Sequence, residues 1–185
     1  VETDDKGFIR VDARQRTAEK SIFAIGDVAG APLLAHKATH EGRTVAEIIA
    51  GKNVRFEPKT IPAVEYTDPE IAWCGLTETD ALQAGREIGV AKFPWAASGR
   101  AATLGRSDGL TKLIVDPHND RVLGAGIVGA GAGELISEAA LAVEMGATVD
   151  DLILTVHPHP TLSETIMGAA EAYRGTATDY YVKKR

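Results

Sequence analysis

An α+β domain, an antiparallel sheet with helices on one side, is the fold predicted for residues 58–185, and three observations carry the prediction. Short apolar runs come first, at residues 71–76, 90–93, 110–115 and 121–128. Helical patterns come afterwards, at residues 133–144, 149–154 and 161–173, and strands followed by helices favour segregated layers over alternating βαβ units. Between the third and fourth runs lies Asp116-Pro117-His118-Asn119-Asp120, a turn composition that makes the flanking strands a hairpin. Ahead of this domain, residues 1–57 read as the end of an α/β unit, and the boundary falls where Gly51-Lys52-Asn53 and the prolines Pro58 and Pro62 interrupt the pattern.

Within that first piece, Ile22-Phe23-Ala24-Ile25 is wholly apolar and ends in Gly26-Asp27, as a strand buried on both faces would. A helix is expected over residues 34–50, with Leu34, Ala38, Val45, Ile48 and Ile49 as its apolar positions. In the second piece, Thr77-Glu78-Thr79-Asp80 opens a short helix that Gly85 ends.

Composition bounds the function. The 185 residues suffice for one domain and part of another. The net charge of −6 argues against a nucleic-acid binder, and the one basic run, Lys183-Lys184-Arg185, reads as a solvated tail. No apolar stretch reaches the ~18–20 residues that a bilayer requires. The single cysteine, Cys74, allows no disulfide within the chain and suits an intracellular, reducing compartment. It lies among Ile71, Ala72, Trp73 and Leu76 and reads as an inert buried thiol. The start, Val1-Glu2-Thr3-Asp4-Asp5, resembles no signal peptide and has no initiator Met, so the chain is expected to begin within a longer protein.

Three stretches invite chemical readings. His157-Pro158-His159-Pro160-Thr161-Leu162-Ser163-Glu164 alternates two histidines with two prolines, which stiffen the backbone before a helix. Glu164 follows His159 by five residues, close enough to hold one ring nitrogen and make the ring a general base. Thr161-x-x-Glu164 is equally a capping box, and the spacing alone leaves both readings open; zinc binding is disfavoured because no third ligand lies nearby. Gly26-Asp27 places a carboxylate just past a strand, and the following helix start, near Leu34-Ala35-His36, aims N–H groups at an electron-rich ligand; an ordinary turn is the alternative. Gly124-x-Gly126-x-x-Gly129 matches a dinucleotide fingerprint, but its apolar residues lie inside the motif, so the glycines are read as close packing and a strand-to-helix turn.

Together these stretches resemble the flavin-dependent pyridine-nucleotide disulfide oxidoreductases, and among them the dihydrolipoamide dehydrogenases. The similar segments are Gly7-Phe8-Ile9, residues 17–27, residues 32–38, Tyr66-Thr67-Asp68-Pro69-Glu70, residues 93–101 and, most specifically, residues 157–164. The resemblance implies that residues 1–57 close an FAD-binding domain, with Gly26, Asp27, Leu33, Leu34, Ala35 and His36 against the cofactor. It implies that residues 58–185 are an interface domain building a homodimer. His159 is then the acid–base and Glu164 its carboxylate partner, both acting on a redox disulfide of the opposite subunit, with His157 a supporting residue near the same site. The implied substrate is dihydrolipoamide on a lipoyl domain of a 2-oxo acid dehydrogenase complex, with electrons passing through FAD to NAD. By itself the chain is expected to bind FAD poorly and to be inactive. A glutathione-reductase-like enzyme and a non-catalytic dimerisation module are the alternatives.

Overall fold

The structure, a computed structural model, describes residues 1–181, so Lys183-Lys184-Arg185 lies outside the described residues. It divides into two compact units, Val1–Pro58 and a second that begins at Lys59.

In the first unit, residues 22–25 do not form the expected buried strand. Only Phe23 makes a bridge, with Arg16, while Ile22 and Ile25 are exposed. No further strand flanks the run among the described residues, so its backbone bonds go to the preceding turn, Ala24 N–H to Gln15 O and Ile22 N–H to Glu19 O. A 3-10 turn, Gly26–Ala29, follows, and then helix α1, Ala35–Ile49. The apolar positions of α1 do not supply its buried stripe: Lys37, Glu41 and Thr44 do, at i, i+4 and i+7. The burial is tolerated because the polar atoms are matched. Lys37 Nζ donates to the carbonyls of Gly26 (3.2 Å) and Gly30 (2.9 Å) and pairs with Glu41 Oε1 (3.0 Å). Glu41 Oε2 accepts the Gly26 N–H at 2.6 Å.

The second unit holds a five-stranded, wholly antiparallel sheet: β1 Ala63–Glu65, β2 Glu70–Gly75, β3 Gly89–Pro94, β4 Leu110–Val115 and β5 Val122–Gly129. The strand order is β1-β2-β5-β4-β3, so the β4–β5 hairpin brings β5 to the centre. Short helices α2, Glu78–Gln83, and α3, Gly99–Leu104, flank β3 in sequence. Three more follow the sheet: α4 Ala132–Met145, α5 Val149–Leu154 and α6 Glu164–Arg174. β1 is too short to show in the sequence pattern, and α3, as short as α2 and α5, lacks the capping box that marks the start of each of those.

Period-two burial selects the core face. Ala72 and Cys74 pair with Ile127 and Ala125, which pair with Thr111 and Leu113, which pair with Phe93 and Ala91. All eight are buried, and α4 packs over β5 and β2 while α6 packs over β3 and β4. The intervening residues of β3, Val90 and Lys92, are exposed. Helix starts are set by side chains: Thr77 and Asp80 form a capping box for α2, as Thr148 and Asp151 do for α5.

The glycines of the 124–129 motif lie inside β5, where no helix opens. A Cβ on Gly124 would run into the Leu76 carbonyl oxygen, so the residue is glycine because the backbone at the end of β2 and just past it approaches that closely. Gly129 abuts the Trp95 ring in the same way. Around Trp95 the core carries one polar thread. Its Nε1–H donates to Thr111 Oγ1 (3.0 Å), which lies 2.7 Å from Thr165 Oγ1, which in turn donates to Leu162 O (2.7 Å). Thr165 has one hydroxyl proton and Leu162 O takes it, so Thr111 donates to Thr165 and the thread runs one way, from Trp95 just after β3 to Leu162 just before α6.

Candidate active site

The residues between α5 and α6 form a bracketed loop. Pro158 and Pro160 fix their own φ and remove two N–H donors, so few conformations satisfy the polar groups that remain. Thr161 Oγ1 donates to Pro158 O (2.8 Å) and accepts from Ser163 Oγ (2.9 Å). The His159–Pro160 peptide bond is cis. The helix begins at Glu164, three residues later than the sequence pattern predicts, because Thr161 and Ser163 are spent on this turn.

Glu164 uses its two oxygens for two different tasks. Oε2 accepts the Thr161 N–H at 2.7 Å, and Oε1 lies 2.9 Å from Nδ1 of His159. The capping contact and the histidine contact, open alternatives in the sequence, are therefore made together. Partial burial alone would raise the Glu164 carboxyl, but the Thr161 N–H, the His159 ring and the charge of His157 outweigh it and hold the group below the ordinary glutamate range. An ionised carboxylate accepts only, so Nδ1 of His159 carries the ring proton and Nε2 presents its lone pair. The His159 side chain is 77% exposed against 24% for Glu164, and Nε2 has no hydrogen-bond partner among the described residues. The arrangement fixes the ring's tautomer on one side and leaves a basic nitrogen facing outward, the geometry that uptake of a proton requires.

His157 is placed differently. Its side chain is 3% exposed, with Nδ1 2.8 Å from Thr155 O and Nε2 2.7 Å from Glu138 Oε1 of α4. Glu138 escapes sequence reasoning, since it lies on another helix, 19 residues away from His157.

In the first unit, Gly26 (φ +71°) turns the chain so that Asp27 is exposed, with the Lys37–Glu41 cluster fixing Gly26 from behind. Leu33 is exposed and Leu34 half-buried; Leu34 is the N-cap of α1 and caps it with no side chain, and Ala35 and His36 open the helix. An exposed carboxylate, an exposed leucine and an uncapped 15-residue helix start in one short stretch fit a ligand with hydroxyls and an electron-rich edge, as FAD has. Cys74 is buried under the helices and burial pushes its thiol up to about 11, which leaves it without thiolate at neutral pH. No group of three or more metal-ligating side chains occurs among the described residues, nor a helix long and apolar enough to cross a membrane.

Known proteins resemble the chain along its whole length. Residues 61–170 match the family model described as "Pyridine nucleotide-disulphide oxidoreductase, dimerisation domain", and residues 1–42 match that described as "Pyridine nucleotide-disulphide oxidoreductase". Dihydrolipoyl dehydrogenase of Haemophilus influenzae is 54% identical over 97% of this chain and 37% of its own length. That of Vibrio cholerae is 53% identical over 97% of this chain and 38% of its own. The chain thus spans under two-fifths of the length of these relatives. Among solved structures, LpdA from Mycobacterium tuberculosis superposes with a TM-score of 0.86 at 28% identity, covering 92% of this chain and 38% of that one. The HOCl-induced flavoprotein disulfide reductase RclA from Escherichia coli gives 0.84 at 26% identity, covering 92% and 40%.

Proposed function

The chain belongs to the pyridine nucleotide-disulphide oxidoreductases, and from that premise we propose that it forms the carboxy-terminal part of a dihydrolipoyl dehydrogenase, with His159 and Glu164 as its acid–base pair. The observation that carries the reading is the outward, unpartnered Nε2 of a histidine whose other nitrogen is held by an ionised carboxylate.

In this reading Nε2 of His159 takes the proton of a dihydrolipoamide thiol. The resulting thiolate attacks a disulfide supplied outside this chain, whose own cysteine is buried and protonated. Glu164 stabilises the imidazolium while it exists and keeps its ring from turning, and on reversal Nε2 returns the proton to a leaving thiolate. Gly26, Asp27, Leu33, Leu34, Ala35 and His36 would hold FAD, through the Asp27 carboxylate and the α1 start. FAD, when bound, supplies a two-electron acceptor that hands its electrons on to NAD. Residues 1–57 then serve the flavin and residues 58–185 the subunit contact. Lipoyl domains of 2-oxo acid dehydrogenase complexes are the proposed carriers of the substrate, in a bacterial cytoplasm or mitochondrial matrix.

A homodimer follows from the same reading. Leu141 and Met145 on α4, the helix that carries Glu138, are exposed, as are Leu154 and Val156 just before His157. Apolar side chains this open, next to the reactive histidine, suit a surface covered by a second subunit.

The test is dihydrolipoamide-dependent NADH formation by the full-length protein and its His159→Gln variant. A fall of about 10²–10⁴-fold with FAD still bound supports the acid–base role. Equal rates would overturn it, and reduction of glutathione disulfide with NADPH in place of dihydrolipoamide oxidation would overturn the substrate.

A further inference from the structure

We infer that Glu138 is a positioning residue for the His159 chemistry: it holds the buried His157 ring to α4 through a shared proton, and that ring pins the segment from which His159 projects. The inference rests on the acid–base reading proposed above and concerns a side chain that reading does not use.

The ring's two neighbours decide its protons. Thr155 O, 2.8 Å from Nδ1, is a carbonyl oxygen and can only accept, so Nδ1 carries a hydrogen. Nε2 then faces Glu138 Oε1 at 2.7 Å, and a bare nitrogen lone pair against a carboxylate oxygen at that distance is repulsive. One extra proton lies between them. It joins Nε2 to Oε1 across that short distance. The buried His157 ring and the partly exposed Glu138 therefore form one proton-sharing pair, and each partner needs the other.

The pair acts on His159 through the backbone. On one side, the His157 ring is fastened to α4. On the other, Thr161 is fastened to Pro158 O by its hydroxyl and to Glu164 of α6 by its N–H. Both helices pack on the sheet, so His159 sits on a short bridge anchored to two rigid supports, with a proline on either side of it. Removing the α4 anchor lets the bridge shift, and a displacement of about 1 Å at a reacting group is worth up to about a hundredfold in rate. The titratable groups facing the His157 ring are Glu138 from α4 and, at longer range, Glu164 from α6, whose carboxylate feels the His157 charge.

The experiment uses the full-length FAD-loaded protein with Glu138→Ala, Glu138→Gln and His159→Gln. Glu138→Ala is expected to lower kcat of dihydrolipoamide-dependent NAD reduction about ten- to hundredfold, with KM and flavin content nearly unchanged. Glu138→Gln keeps a contact, since its amide N–H donates to Nε2 of a neutral ring, but removes the extra proton. It should displace the pH profile of kcat while leaving the thermal midpoint in place, which a merely structural role would not do. Parent-like kcat and pH profile in both Glu138 variants, or losses that track bound flavin or thermal midpoint, would overturn the inference. If His159→Gln is inactive while the Glu138 variants match the parent, this inference alone fails. If His159→Gln matches the parent, the acid–base reading fails with it.

Discussion

The one-way hydroxyl thread through the core makes a quantitative prediction about non-additivity. Thr165→Val keeps the shape of the side chain but strands the Thr111 hydroxyl proton in a fully buried place, at a cost of about 1–3 kcal/mol. Leu162 O is not stranded, because it also accepts the Thr165 N–H at 3.0 Å. Thr111→Val strands a different donor, the Trp95 Nε1–H, for a similar ~1–3 kcal/mol. In the double variant Thr111 has no hydroxyl left to strand, and only the Trp95 N–H lacks a partner. The double should therefore be about as stable as Thr111→Val alone, with a coupling of ~1–3 kcal/mol. Urea unfolding of the four proteins, with m-values unchanged, measures this. Single costs that add to within ~0.5 kcal/mol would refute the direction of the thread and the hydrogen bond on which it rests.

Other outcomes follow from the same geometry. Gly124→Ala should cost about 3 kcal/mol or more, because its Cβ meets backbone atoms that cannot retreat, whereas Gly126→Ala, whose nearest atom is Lys112 Cε at 4.0 Å, should be tolerated within ~0.5 kcal/mol; thermal unfolding separates them. Glu164 has a lowered folded-state pKa, so its stabilisation is complete above the ordinary glutamate value and is lost as pH falls through the lowered one. Hydrogen exchange at the Thr161 amide, corrected for intrinsic rates, should therefore lose protection only on the acid side of the glutamate range, and a Glu164→Gln variant should lack that acid step. Cys74, with its thiol pushed up to about 11 by burial, should resist a thiol reagent at pH 7–8 and react fully only in denaturant, as mass spectrometry would show.

What the sequence conveys depends on whether a contact is local. The β4–β5 hairpin and helices α4 and α5 are legible because turn chemistry and periodicity coincide there. The Ile22–Ile25 run is legible as an apolar segment, but apolarity reports the wish to be buried and not the presence of a neighbour to pair with. The buried stripe of α1 misleads in the opposite sense: Lys37 and Glu41 read as solvent-facing, and only the turn at Gly26–Gly30, brought beneath them by the fold, satisfies them. At the candidate site, His159 and Glu164 are visible from spacing. Glu138 is not, because nothing local relates a residue of α4 to a ring 19 positions on. The late start of α6 was likewise hidden, since a capping pattern does not say whether the cap residues join the helix or turn before it.

Glu164 is at once the first residue of a helix and the partner of the reactive ring, one oxygen to each. A glutamine there could still accept the Thr161 N–H with its oxygen, but its amide would donate to Nδ1 and leave the ring proton on Nε2, the wrong nitrogen for a base. The proton arrangement of the ring and the turn before the helix therefore hang on one side chain, and only its neighbours can alter the first without touching the second.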